Sequence, residues 1–376
     1  MLFFSRLLAL IDHERGYPSL SHEGYLDCEP HTAPIPGEND VTLPQYPECA
    51  KLHVATHDMR FDNIDQQAAC LTGYDQRYQQ VSCGKYHGWF RTVLLDEDVG
   101  LYFESFNQAL EQWGASPPDR YGFIFFMEPE NYGHLGIHTF CGDDILFLPP
   151  GNGFDFRAPP KTSFCVVSID RLAFDAILRG NLGPESAMDS ASRNTRVIRD
   201  ADCANLLRQL VAFLVRRISK KGVEGIPAGA LQGAKRSLLE LTGGIIGNAL
   251  GIEGTLVKED ARYNEKVALS IRDFIRLRKG VGVGPAQLAE EFTISRRGLE
   301  QIFKTYFSTS PGAYIQTVKL NAFRSALLTP KNSAASIGDV AATFEIWHLS
   351  RLAQSYRHQF GELPSESRRA TGTQKA

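Results

Sequence analysis

Apolar residues recur along this chain at two different periods, and the change of period divides it. Up to about residue 175 the apolar runs are short and bounded by turn signals such as Pro117-Pro118 and Pro149-Pro150-Gly151. Runs at 87–95, 99–106, 123–126, 144–148 and 163–169 predict strands, led by one weak helix over 64–74. Over 171–183 and 186–250 the spacing becomes three and four, which predicts helices. Leu206, Leu207, Leu210, Val211, Leu214 and Val215 form one stripe, and Leu238, Leu239, Leu241, Ile245 and Ile246 another. Such stripes suit packing on the strands or a dimer interface. Residues 251–262 read as a linker, and Val267, Ile271, Phe274 and Ile275 mark a helix over 266–277. Residues 1–58 carry Pro and Gly without a period and read as a flexible extension, with Met59 a candidate natural start.

The sharpest local pattern opens at Pro285, a first-turn helix residue, and Leu288, Ala289 and Phe292 share one face. Thr293-Ile294 break the helix, and Ser295 is placed to cap the next one. That helix buries Leu299, Ile302, Phe303 and Phe307 and turns Arg296, Arg297, Glu300, Gln301 and Lys304 outward. A long helix, capped by Ser310 and opened by Pro311, runs to Leu328. A second short helix follows from Ser336, with a break over 344–347 and a last helix over 348–360. The last helix is expected to bury Leu349, Leu352, Tyr356 and Phe360 and to present His348, Ser350, Arg351, Gln354 and Arg357. Short helix, turn, longer cationic helix, twice over, is the pattern of two helix-turn-helix units. A linking helix of about 18 residues spans about 27 Å, so two reading helices could enter successive major grooves about 34 Å apart on one duplex face.

Charge agrees. The formal net charge is −3, yet residues 260–376 hold 17 Lys+Arg against 10 Asp+Glu, leaving 23 against 33 for the rest. A basic end on an acidic body assigns contact with a polyanion to the end alone. Arg matches the guanine edge, Gln the adenine edge and Glu the cytosine amino group. Basic side chains at the motif edges would meet phosphate and set salt dependence.

The order Leu288-Ala289, Ser295-Arg296-Arg297, Phe303-Lys304, Ser310-Pro311, Lys319-Leu320-Asn321-Ala322, Ile337 and Tyr356 through Glu366 resembles the AraC-type family of transcription regulators. The resemblance implies two helix-turn-helix units joined by a linker helix. It places Arg296, Arg297, Glu300 and Gln301, then His348, Ser350, Arg351 and Gln354, at base-reading positions. It also implies activation through RNA polymerase. The chain departs at Glu345-Ile346, where the family usually has Gly-Phe. Glu is expected to be strained there, and Glu345→Gly to tighten DNA binding. Gly298 within the first reading helix costs up to about 1 kcal/mol against Ala. Within the family, 85–98 resembles the sensor half of ethanolamine-utilisation regulators, which implies a cupin-like barrel.

Other chemistry is thin. Seven cysteines, none in the basic part and none as Cys-x-x-Cys, read as reduced thiols of a cytoplasmic protein. No apolar run reaches the roughly 18–20 residues of a membrane span. His134-x-x-x-His138 with Glu128 is the one metal-like set, and no third ligand stands out. Asp96-Glu97-Asp98 and Asp143-Asp144 read as solvated turns. The expectation is an α+β chain: extension 1–58, a β-rich cupin-like barrel sensor over 59–185, a helical dimerisation or linker region over 186–260, an all-α double helix-turn-helix domain over 261–370 and a tail over 371–376. It is expected to bind promoter DNA without cofactor or metal, and to answer a small-molecule effector near Trp89, Arg91, Glu104, Asn107 and Tyr121. The alternatives are a cupin-like metal enzyme and a non-catalytic scaffold.

Overall fold

Twelve strands form two stacked antiparallel sheets in the computed structural model, which describes residues 54–71, 73–136, 138–182, 195–221, 226–251 and 263–373. The 251–262 linker falls almost wholly outside these residues, as does most of the 1–58 extension. The strand β1 (Val54–Phe61) crosses the expected boundary at 58 and pairs along its whole length with β3 (Gly88–Leu95), so the sheet takes in residues 54–58 and Met59 sits mid-strand.

The larger sheet runs β1, β3, β4 (Val99–Phe106), β11 (Thr162–Asp170), β6 (Arg120–Phe126), β9 (Asp144–Leu148) and β12 (Arg196–Arg199). Both of its faces are covered. Tyr121, Phe123 and Phe125 of β6 pack beneath α2 (Arg171–Leu182), α3 (Ala201–Lys221) and α4 (Ala228–Gly251), against Phe174, Leu207, Val211 and Leu238. Ile124 and Phe126 of the same strand face the second sheet. A strand buried on both sides needs apolar residues at every position, which is why these strands read as continuous runs. The two predicted helical stripes thus pack on the sheet.

Residues 196–199 correct the helical reading of 186–250. Val197 points into the sandwich and Ile198 toward the helices, an alternation that only a strand provides.

The smaller sheet runs β2 (Asp75–Gln80), β5 (Leu110–Ala115), β10 (Gly153–Ala158), β7 (Tyr132–Leu135) and β8 (His138–Cys141). None of its strands was among the predicted runs. Between the sheets lies one acid. Glu104 is 2% exposed and accepts from Gln67 Nε2 at 2.9 Å and Tyr78 Oη at 2.8 Å. Gln67 belongs to α1 (Ile64–Ala68) and in turn accepts from Tyr86 Oη at 2.7 Å. Burial outweighs these donors and lifts the Glu104 carboxyl from 4.5 to about 7.

A carboxyl raised on folding stabilises the fold while protonated. Its contribution is complete below about pH 4.5 and is lost as pH rises through 7, by about 3 kcal/mol. Glu104→Gln is expected to narrow the gap in Tm between pH 5 and pH 8.5, read by circular dichroism. An unchanged gap would show that Glu104 does not titrate in this range.

Candidate nucleic-acid interface

The C-terminal helices form two copies of one small unit. In the first, α5 (Tyr263–Leu277) packs beneath α6 (Pro285–Glu291) and α7 (Arg296–Phe307). Their core joins Ile271, Leu288, Leu299, Ile302 and Phe303. At the turn Thr293 adopts φ 52°, its N–H donating to Glu290 O at 3.1 Å and the Ile294 N–H to Ala289 O at 2.9 Å. Ser295 Oγ caps α7 by accepting from Gly298 N at 3.0 Å. A Cβ on residue 298 would stand 3.2 Å from that hydroxyl, so Gly298 keeps the cap uncrowded.

The second unit repeats the turn. Ser336 and Asp339 form a capping box at the start of α9 (Ile337–Ala342). Glu345 takes φ 56°, its N–H donates to Ala342 O at 3.0 Å, and the Ile346 N–H donates to Ala341 O at 3.1 Å. The Glu-for-Gly departure therefore keeps the left-handed turn, at roughly 1–2 kcal/mol for a residue with a Cβ. Leu352, Tyr356 and Phe360 of α10 (Leu349–Phe360) are buried, whereas Leu349 is 50% exposed and Trp347 72%. Leu349 corrects the sequence reading: as the first helical residue it points past the core edge. The joining helix α8 (Pro311–Leu328) is shared, giving Tyr314, Ile315 and Val318 to the first core and Leu320, Phe323 and Leu327 to the second.

Arg296, Arg297, Glu300, Gln301 and Lys304 on α7 are all exposed, as are His348, Ser350, Arg351, Gln354 and Arg357 on and just before α10. Each helix therefore carries a free cationic and amide face.

Opposite this face, both units dock on the smaller sheet. Arg276 of α5 reaches Glu111 Oε2 at 2.8 Å and Asp155 Oδ2 at 2.7 Å, with its guanidinium 4.1 Å from the Trp113 ring centroid. Arg272 also binds Asp155, and Tyr314 Oη donates to Glu111 Oε2 at 2.7 Å. Arg276 and Glu111 are 6% and 3% exposed in their side chains. Burial alone would raise the Glu111 carboxyl, but Arg276 and Arg272 hold it below its usual value. Asp155 goes the other way, desolvation prevailing over the same arginines. Farther along, Asn321 of α8 exchanges hydrogen bonds with the backbone of Gln80 at 3.0 and 2.9 Å. Gln359 of α10 donates to Gln80 O at 3.0 Å, and Arg157 donates to Tyr306 O at the end of α7. A cleft of about 1080 Å³ opens along the seam between Trp113, Leu135 and Phe154 on the sheet and Phe274 and Phe292 on the helices.

The five expected effector residues do not converge. Trp89 and Arg91 both bind Asp58 on the outer face of β3. Glu104 is inside the sandwich, Asn107 binds the backbone of Lys85 and His87, and Tyr121 lies under the helices bonded to Asp175. None of the five lines the seam cleft. Trp113, which does, sits in a strand whose apolar residues are interrupted by Glu111 and Gln112. His134 and His138 fall on β7 and β8, where His134 pairs with Thr139 and Leu135 with His138, so the two imidazoles leave opposite faces of the hairpin. Among the described residues no group of three His, Cys, Asp or Glu could hold a metal, and no helix is long and apolar enough to cross a membrane.

This arrangement is that of a DNA-binding regulator of the helix-turn-helix kind, and a family model described as a helix-turn-helix domain matches residues 288–370. The XylDLEGF operon transcriptional activator 1 of Pseudomonas putida is 39% identical over 238 residues, 63% of this chain and 70% of that protein. A second protein of that name and organism is 36% identical over 239 residues, 63% and 68%. The AraC-like transcriptional activator CuxR is a more distant likeness, 16% identical at a TM-score of 0.40 over 76% of this chain and 98% of that one. The chain belongs to the AraC-type family of transcription regulators.

Removing one partner of a buried ion pair costs roughly 3–5 kcal/mol. Arg276→Ala should therefore lower Tm and, where the chain stays folded, raise the radius of gyration in small-angle scattering as the helical domain undocks. An unchanged Tm and radius would show that the pair does not hold the seam.

Proposed function

We propose that both helical units read DNA, α7 and α10 entering successive major grooves, and that the protein activates transcription by presenting RNA polymerase with a promoter-bound surface. The observation that carries this is the pair of equivalent turns at Thr293 and Glu345, each followed by a helix with a free cationic face. Arg296, Arg297, Glu300 and Gln301 read one box and His348, Ser350, Arg351 and Gln354 the other, while Lys304 and Arg357 contact phosphate. The β-sandwich, of cupin-like shape, is the sensor, and its effector is a small molecule held in the seam cleft. A ligand there touches the sheet and α5 together, and so changes how firmly the helical domain is docked. Self-association through α3 and α4, where Phe213 is 43% exposed, belongs to the same reading, as does a cytoplasmic location. The ethanolamine-type resemblance of 85–98 enters at the level of sensor shape and names no ligand.

Binding to DNA from upstream of the protein's own gene, followed by fluorescence anisotropy at several salt concentrations, tests the assignment. Arg297→Ala is expected to cost about 1–3 kcal/mol and to relax base choice at one position, whereas Lys304→Ala weakens all sequences alike and lowers the salt slope by about one. Equal effects of the two changes, or binding indifferent to salt, would contradict it.

A further inference from the structure

Glu345 does more than tolerate its left-handed turn. Its Oε2 accepts a hydrogen bond from the backbone N–H of Gly282 at 2.8 Å and lies 4.0 Å from Lys319 Nζ on α8. Gly282 belongs to the loop that leads from α5 into α6, which is part of the first unit, whereas Glu345 is the turn of the second. The same loop makes a second, independent tie. Val281 packs into the core of the second unit beside Ile346, away from the first-unit core that its neighbours α5 and α6 build. The loop runs close against α8. Lys279, Gly280 and Gly282 all take positive φ, and a Cβ on Gly280 would stand 2.8 Å from Ile315 O of α8. A residue kept in a costly backbone conformation while its side chain bridges two substructures points from strain to use.

We infer that Glu345 is a positioning residue: by holding the turn of the second unit to the loop of the first, it fixes the angle between the reading helices and hence the spacing of DNA boxes the protein accepts. This rests on the reading of both units as DNA-binding. The distance between the units is set by their common docking on the smaller sheet and by the shared helix α8. Rotation about it is resisted by the Glu345 and Val281 contacts. One base pair inserted between the boxes turns the second by about 34° and moves it by about 3.4 Å, which a pinned pair cannot follow.

The test uses the full chain and duplexes carrying both boxes at the natural spacing, with one base pair added and with one removed. Wild type is expected to lose about tenfold or more in affinity at either altered spacing, and Glu345→Ala less than about threefold. Glu345→Gln keeps an acceptor for the Gly282 N–H and should follow wild type, while Glu345→Lys, which has none, should follow Glu345→Ala. Val281→Ala, acting through the other tie, should relax spacing in the same direction. Circular dichroism confirms that each variant is folded, and Val281→Ala tests the second tie separately from the three changes at Glu345. The proposal is overturned if Glu345→Ala and Glu345→Lys keep the wild-type spacing profile, or if Glu345→Gln and Glu345→Ala tighten binding equally at every spacing. The latter would mark Glu345 as simple repulsion of phosphate. A wild-type chain that binds none of the duplexes overturns the DNA reading itself along with this one.

Discussion

The buried contact of Arg276 with Glu111, shared by Tyr314 and neighboured by Asp155 and Arg272, is the constraint on which the rest of the molecule depends. Charges withdrawn from water are costly unless closely paired, so once formed this cluster admits few alternative geometries. It joins the first helix of the DNA-binding domain to β5 and β10 of the smaller sheet. Several polar atoms in it, among them Asp155 Oδ1 and Arg272 Nη1, are buried without a hydrogen-bond partner. A seam satisfied only in part is easier to open than a fully paired one. Asn321, Gln359, Arg157 and Tyr314 add further contacts between the sandwich and the helices.

From that seam the geometry passes outward in order. The smaller sheet holds α5, α8 and the C-terminal ends of α7 and α10 through Glu111, Gln80 and Arg157. The N-terminal halves of α7 and α10 are left free, and these carry the exposed Arg, Gln, Glu and His side chains. The sheet thus grips the ends of α7 and α10 away from their exposed cationic faces. The seam cleft adjoins that grip and is lined by none of the exposed residues of α7 and α10.

Much of the helical domain was legible in sequence because its determinants are local. Ser295, Ser310 and Ser336 each cap a helix through a bond three residues long, and the buried stripes follow a fixed period. The five inner strands of the larger sheet were legible for a different reason, their two covered faces leaving runs of apolar residues, whereas its edge strands β1 and β12 were not. The smaller sheet was not. Its strands include Asp75–Gln80 and Leu110–Ala115, where Gln79, Gln80, Glu111 and Gln112 are buried by partners distant in sequence, so no apolar run marks them. The effector guesses failed to converge on the same ground. Trp89 and Glu104 sit on adjacent strands but on opposite faces, a fact set by register and not by composition. The acidic body and basic end did carry information, since Glu111 and Asp155 meet Arg276 and Arg272 across the seam.

Two units tied to one sheet are proposed to read two boxes on one face of DNA. Nuclease protection of the DNA upstream of the protein's own and neighbouring genes, with purified full-length protein, addresses this most directly. Two protected boxes, their centres about one helical turn apart and on the same face, are the result expected. A single protected box, or two on opposite faces, would contradict the account, because a frame held by α8 and docked on one sheet cannot present its reading helices that way.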